Sequence, residues 1–289
     1  MEDFDNLKSR KFLGAKYFRL RIAYSLLTLT PIEIDNIRTD SVNIGISSFE
    51  VSFLKFIELI SNGTKIFISS TGTLLRFIPG TITNNYGKDF SFEFDKERGL
   101  SYYIEGFIPI CLYGKEKLLC KIKGVSNNNE DLSMDCFKAT IDSLLDKIVV
   151  GDTFSFEIIK RSFYPDPSSE IKVIVPIIRF IEPLDLRETG KVAKIRGHYL
   201  SVNSNMLHNG IIDQARVIFN KLLNDVWIDK NTQNGKDQTS GFGISLWGIT
   251  TKNTVYSYDY NSFGNERVDP EELVNKVASK MLSEINDVS

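Results

Sequence analysis

Residues 49–80 read FEVSFLKFIELISNGTKIFISSTGTLLRFIPG and constrain the fold more than any other stretch. Val51, Leu54, Ile57 and Leu59 to Ile60 recur near the 3.6-residue period, which predicts a helix. Ser47 or Ser48 can cap it, with Glu50 in its first turn. Asn62-Gly63 is expected to stop it, because both residues tolerate a left-handed backbone. Two strands follow, over Lys65 to Ile68 and Thr73 to Ile78, with a turn at Thr71-Gly72 and an end at Pro79-Gly80. One helix on a hairpin cannot bury its own apolar face, so the unit needs companions.

Those companions recur in a fixed order. Lys11 to Leu13 reads as a strand ended by Gly14, Phe18 to Leu29 as a helix, and Ile32 to Ile37 as a strand broken off from it by Pro31. With the helix and hairpin above, the order is βαβαββ. Phe90 to Phe94 (strand), Tyr102 to Leu112 (helix, distorted near Pro109), Leu118 to Lys123 (strand) and Met134 to Ile148 (helix) repeat it. Two strands, Phe154 to Lys160 and Ile171 to Val175, complete the second unit. This is the mark of an internal duplication, carried by element order rather than by sequence identity.

After Pro183 the pattern changes. Val192 to Leu200 is a strand, Asn205 to Leu223 a long helix, and Val226 to Ile228 a strand. Asp229 to Gly241 is polar loop, and Gly243 to Ile249 with Val255 to Tyr260 forms a hairpin. Asp269 and Pro270 then open a final helix with Leu273, Val277, Met281 and Ile285 on one face. The fold class is therefore α+β. Residues 1–183 form a large domain of two βαβαββ units and 184–268 a small inserted α/β domain. Residues 269–289 read as the first helix of a truncated third repeat, its stripe only partly covered by residues 1–183.

Charge and composition exclude several function classes. The chain carries 35 Lys and Arg against 37 Asp and Glu, a net charge of -2, so no global basic field draws it onto nucleic acid. An RNA contact has to come from a local patch or a partner. Cys111, Cys120 and Cys136 form no C-x-x-C pair, which fits buried thiols in a reducing compartment. No run of 18 apolar residues and no apolar signal core are present, so an intracellular protein off the membrane is expected. His198 and His208 are too few for a zinc site and read as structural or surface residues. Trp247 reads as core rather than as a base-stacking platform. No metal, cofactor or catalytic constellation emerges.

Lys16, Arg19 and Arg21 cluster at a helix start, where free N–H groups favour an anion. Arg76 lies two residues before Ile78 on the same strand face. These four are the candidate anion or RNA-backbone seat. The alternative is that they are solvated charges or ion pairs with Glu50 or Asp40.

Several short runs together resemble the RNA 3'-terminal phosphate cyclase superfamily, and within it the ribosome-biogenesis branch. They are YFRLRI at 17–22, PIEIDNIR at 31–38, FEVSFL at 49–54, Asn62-Gly63, TGT at 71–73 and Pro79-Gly80. IRG at 195–197, Ile212-Asp213, Ala215-Arg216, GFGISL at 241–246 and PEEL at 270–273 extend the match. The resemblance implies three βαβαββ repeats with a small domain inserted in the third, and aligns Arg19 with an arginine that cyclases keep. It also marks departures. The glycine-rich run is Gly14-Ala15-Lys16-Tyr17, the basic residue before Pro-Gly is Ile78, and Pro165 to Ser169 replaces a triple glycine after Lys160-Arg161. The segment bearing the nucleotidylated histidine of true cyclases would lie beyond Ser289. The resemblance thus implies a non-catalytic factor of the small-subunit processome in the nucleolus of the nucleus. It would act on pre-rRNA for 18S rRNA with processome proteins and a ribosome-biogenesis GTPase, without cofactors. Cyclase or pre-rRNA endonuclease activity is the alternative.

Overall fold

The computed structural model describes residues 8–149, 154–204, 208–236, 238–264 and 268–288. In chain order, β1 (Arg10–Leu13), α1 (Phe18–Thr28), β2 (Ile32–Asp35), α2 (Ser48–Ile60), β3 (Ser61–Asn62), β4 (Lys65–Ile68), β5 (Leu75–Ile78) and β6 (Thr81–Ile82) come first. Next are β7 (Phe90–Glu93), α3 (Leu100–Cys111), β8 (Leu118–Gly124), α4 (Met134–Ile148), β9 (Ser155–Lys160) and β10 (Ser169–Val175). The last stretch holds β11 (Val192–Val202), α5 (His208–Phe219), β12 (Val226–Gln233), β13 (Gly241–Thr250), β14 (Val255–Phe263) and α6 (Pro270–Val288).

The strand orders make the duplication visible. One four-stranded sheet runs β1-β2-β5-β4 and another β7-β8-β10-β9. In both, the first and second strands of the repeat sit beside its fourth and then its third. A third sheet runs β12-β11-β13-β14, so the strands between residues 192 and 263 pair among themselves. β3 and β6 make a separate two-residue ladder.

By contact density the described residues fall into two compact units, one within 1–97, 103–122 and 172–179, the other within 98–102, 123–171 and 180–289. In the first unit, β1 pairs parallel with β2, as a strand-helix-strand crossover requires, while β5 pairs antiparallel with β2 and β4. Ile22 and Leu26 of α1, Ile32 and Ile34 of β2, and Leu75 and Phe77 of β5 are buried on one side of this sheet. Ser47 and Glu50 form a full capping box at the start of α2, with Glu50 Oε2 accepting the Ser47 N–H at 2.9 Å. The expected helix stop at Asn62-Gly63 is corrected: α2 ends at Ile60, and Ser61 is already extended at φ -126°. The left-handed Gly63, φ +83°, instead serves the turn between β3 and β4. Phe56 of α2 packs against Phe92, Phe94 and Phe107 with ring centroids 5.3, 5.1 and 4.7 Å away.

In the second unit, α5 and α6 cover one face of the third sheet. Tyr199, Ile228, Ile244 and Leu246 of the sheet meet Ile211, Ala215 and Phe219 of α5 and Leu273, Val277 and Met281 of α6. The apolar stripe of α6 is thus buried inside this unit, against the expectation that residues 1–183 would cover only part of it. Asp269 Oδ1 accepts the Glu271 N–H at 2.8 Å, the expected cap with Pro270 next to it. β12 continues through Gln233 where polar residues predicted loop. Beyond Ile228 both faces reach solvent, with Asp229, Lys230 and Thr232 exposed and Asn231 and Gln233 half-buried, so the polar run is strand that pairs in parallel with β11. Residues 205–207, expected as the start of α5, lie outside the described residues.

Candidate functional site

Two clusters carry the polar chemistry. The first is the basic set at the start of α1. Gly14 has φ +66°, and Tyr17, the N-cap of α1, is left-handed with no side-chain cap bond. Arg21 turns back toward this bend. Its Nη1 donates to the Gly14 carbonyl at 2.6 Å and its Nη2 to the Leu13 carbonyl at 3.2 Å. Its guanidinium carbon sits 4.8 Å from the centre of the Phe12 ring. Burial pulls its pKa below the usual arginine value. Arg19 instead reaches Glu105 of α3, at 2.8 Å. Lys16 is exposed one residue before the cap.

Arg76 belongs to a different arrangement. The register pairs Lys11 with Glu33 and Glu33 with Arg76 across β1, β2 and β5. Glu33 accepts from Arg76 Nε at 2.8 Å and lies 3.2 Å from Lys11 Nζ. The ion-pair partners suggested by sequence were Glu50 and Asp40. Glu50 is held instead by both arms of Arg38, at 2.7 and 2.8 Å. The structure therefore turns Arg21 back onto the bend, pairs Arg19 with Glu105, leaves Lys16 exposed beside the N-cap, and ties Arg76 to a buried carboxylate.

The second cluster was not found by sequence reasoning. Ser133 caps α4, and its hydroxyl lies 2.8 Å from that of Ser245 on β13. Asp135, in the first turn, takes two bonds from Arg161, just after β9: Nε to Oδ2 at 2.9 Å and Nη2 to Oδ1 at 2.7 Å. Asp259 of β14 accepts from the Ser133 N–H at 3.1 Å and from Asn261 Nδ2 at 3.0 Å. Asp259 keeps some exposed surface yet sits deep among protein atoms, and burial pushes its pKa up to about 6. His198, opposite Ser245 in the register, feels Asp135, Arg161 and Asp229, and burial pulls its pKa down. Its Nε2 is buried with no hydrogen-bond partner among the described residues. The signal available in the sequence was the pair Ser133 and Asp135 before an apolar helix, together with Lys160-Arg161. Their meeting with a strand some 125 residues later had no local trace.

The three cysteines are buried, and burial raises every thiol above its ordinary pKa, so they stay protonated. Among the described residues no three His, Cys, Asp or Glu side chains gather as a metal site would need. No described helix is long and apolar enough to cross a membrane.

The RNA 3'-terminal phosphate cyclase family matches this chain over residues 10–266. The chain belongs to that family. It is 33% identical over 284 residues to the human RNA 3'-terminal phosphate cyclase-like protein, covering 96% of this chain and 75% of the relative. It is 34% identical over 255 residues to the Arabidopsis thaliana probable RNA 3'-terminal phosphate cyclase-like protein, covering 86% of this chain and 67% of that one. It is 30% identical over 281 residues to the fission yeast rRNA processing protein rcl1, covering 96% and 76%. The mixed α/β architecture and the repeated strand order agree with membership. Within the family the chain falls among the cyclase-like relatives.

Proposed function

We propose that this protein acts in rRNA processing as a non-catalytic member of the cyclase family. The observation that carries the reading is the likeness to an rRNA processing protein along 96% of the chain. In this reading it works in the nucleolus within the small-subunit processome, on pre-rRNA for 18S rRNA. A ribosome-biogenesis GTPase is its partner, as the resemblance to that branch implies. The near-neutral charge supports recruitment by a protein partner over steering by RNA.

Cyclase chemistry needs an accessible imidazole to take AMP from a nucleotide. His198 supports the non-catalytic reading: its Nε2 is buried in the second cluster and its ring is depressed in basicity. Incubation with ATP labelled at the α-phosphate should leave no acid-labile adenylate, and an RNA with a 3'-phosphate should stay uncyclised. An adenylate on His198 or His208 reverses the non-catalytic assignment. Crosslinking the tagged protein in its own cells and sequencing the bound RNA tests the pathway. Enrichment of 18S precursors is expected. Recovery of other 3'-phosphate-ended RNAs, with no pre-rRNA, would sink it.

A further inference from the structure

We infer that the outer face of α1 is a self-association surface, along which two copies of this chain pack antiparallel. α1 buries Phe18, Ile22, Ala23 and Leu26 against β2 and β5. A surface helix of this kind ordinarily turns polar residues outward. Here Tyr17, Leu20, Tyr24 and Leu27 stand outward, 73%, 64%, 42% and 42% exposed. They are spaced three, four and three residues apart, the seam along which two helices interlock. Tyr24 is braced edge-to-face by Phe12 of β1, with ring centroids 6.5 Å apart. Among the described residues no other helix exposes more than one large apolar side chain.

The internal duplication says what kind of element belongs on this face. In the second repeat α3 is the counterpart of α1, and β7 that of β1. α3 is buried along its length except at Glu105 and Pro109. A helix covers it: Phe56 of α2 packs on Phe92 and Phe94 beside it and on Phe107 within it. The outer face of α1 carries no such helix among the described residues. The second helix of each repeat is already committed, α2 to α3 and α4 to β13 and β14. A second copy brings a helix of the missing kind, its own α1, with a seam equally in need of cover.

The seam is complementary to itself. Across a two-fold axis, antiparallel helices set Leu20 against the partner's Tyr24 and Tyr17 against the partner's Leu27, an aliphatic side chain against a ring in every layer. The antiparallel order also opposes the two helix dipoles and keeps the exposed Lys16 of each copy at opposite ends. The seam itself is uncharged, so its copy meets no like charge there. The cations flanking it are held: Arg19 by Glu105 at 2.8 Å, and Arg21 by the Gly14 and Leu13 carbonyls at 2.6 and 3.2 Å. The neighbouring edge of β1 is the poorer seat, because Arg10 and Lys11 are exposed on it and basic edge strands resist pairing with their own kind. With Leu13 and Leu29 at its ends, 70% and 65% exposed, the surface offers roughly 700 Å² per copy, so a pair would bury about 1,400 Å², the size of a specific interface.

The test uses the full 289-residue chain in sedimentation equilibrium over a micromolar concentration series. A species of twice the 32.9 kDa chain mass is expected. Leu20→Glu and Tyr24→Lys change exposed side chains, so each variant should keep the circular dichroism of the parent. Each should weaken dimerisation by about 10-fold or more, as loss of a central anchor does. Mixed in equal amounts, the two variants should pair again. Only in the mixture does the new carboxylate face the new ammonium while the other Leu20–Tyr24 layer stays intact, and no change in folding gives that recovery. Leu20→Gln, a good helix former without charge, repeats the loss should a charged variant misfold. A parent that stays monomeric throughout the series overturns the proposal and gives the face to a different protein. A dimer that every variant keeps overturns it as well, since the contact then lies elsewhere. Loss in both charged variants with no recovery in the mixture overturns the antiparallel seam.

Discussion

Arg161 holds Asp135 through two parallel bonds, at 2.9 and 2.7 Å, with the two side chains only 15% and 8% exposed. The pair joins the end of β9 to the first turn of α4, where the helix dipole adds to the attraction for a carboxylate. Lys160-Arg161 precedes the stretch Pro165 to Ser169 where the chain departs from the family it resembles, and here the arginine serves the architecture. Its partner is set by the helix cap, since Ser133 fixes where α4 begins and hence where Asp135 points.

Removing one member should expose the dependence. Arg161→Met leaves Asp135 buried and unpaired, and such losses cost about 3–5 kcal/mol. Asp135→Asn with Arg161→Gln keeps hydrogen bonding without net charge and should recover a good part of that. Urea unfolding followed by circular dichroism gives both numbers. A single variant as stable as the parent would show that the pair contributes little beyond solvated charges.

Gly106 of α3 offers a test in the first unit. An added Cβ would lie 2.8 Å from Arg19 Cδ and 2.9 Å from Phe53 Cε2. Helix propensity alone favours alanine over glycine by about 1 kcal/mol. Close packing opposes it, and overpacking costs about 1–3 kcal/mol. Phe53 is fully buried and cannot swing away. Gly106→Ala should therefore lower the thermal midpoint. A raised midpoint would mean that α1, α2 and α3 yield at this point more easily than their packing indicates.

Much of this fold was legible because its signals are local. The capping Ser47 with Glu50, the apolar period of Phe53, Leu54 and Ile57, and Pro270 after Asp269 each declare an element within a few residues. The helix end at Ile60 was misread, because Asn62-Gly63 serves a turn two residues later. β12 extends past Ile228 against expectation, because an edge strand that meets solvent on both faces looks like polar loop. The polar centre of Asp135, Arg161, His198 and Asp259 could not be read at all. It depends on pairing between strands and helices far apart in sequence, and no spacing rule encodes that.

Asp259 should make stability depend on pH. Its folded pKa of about 6 lies above the ordinary 3.8. The folded protein therefore binds this proton more readily than the unfolded chain. The stabilising share is present in full below about pH 4 and is lost as pH rises through 6. At pH 7.5 the buried charge is a cost, on the order of 1–3 kcal/mol. Asp259→Asn should raise stability at pH 7.5 and match the parent at pH 4.5 more closely. The check is the difference between the two proteins in urea unfolding at both values, which cancels the other carboxylates. A constant difference across the range would place the pKa of Asp259 outside it.

The basic residues near α1 now divide into groups that mutation can separate. Lys16 is exposed beside the N-cap of α1, Arg19 pairs with Glu105 and Arg21 bonds to the bend at Gly14, while Arg76 serves Glu33 together with Lys11. Arg21 is bonded to two backbone carbonyls, so its reversal would disturb the bend and confuse the outcome. Lys16→Gln with Arg19→Gln is the cleaner change, because it removes two charges and leaves that geometry alone. If the seat holds phosphates, single-stranded RNA affinity at low salt should fall several-fold. The slope of log affinity against log salt should shrink by about 0.7 for each lost contact. Arg76→Gln should leave RNA binding unchanged and lower stability instead, because Glu33 is 9% exposed and loses its nearer partner. Fluorescence anisotropy over a salt series separates these outcomes. Should the double variant keep both affinity and slope, Lys16 and Arg19 are solvated charges, and RNA contact must be sought elsewhere on the surface.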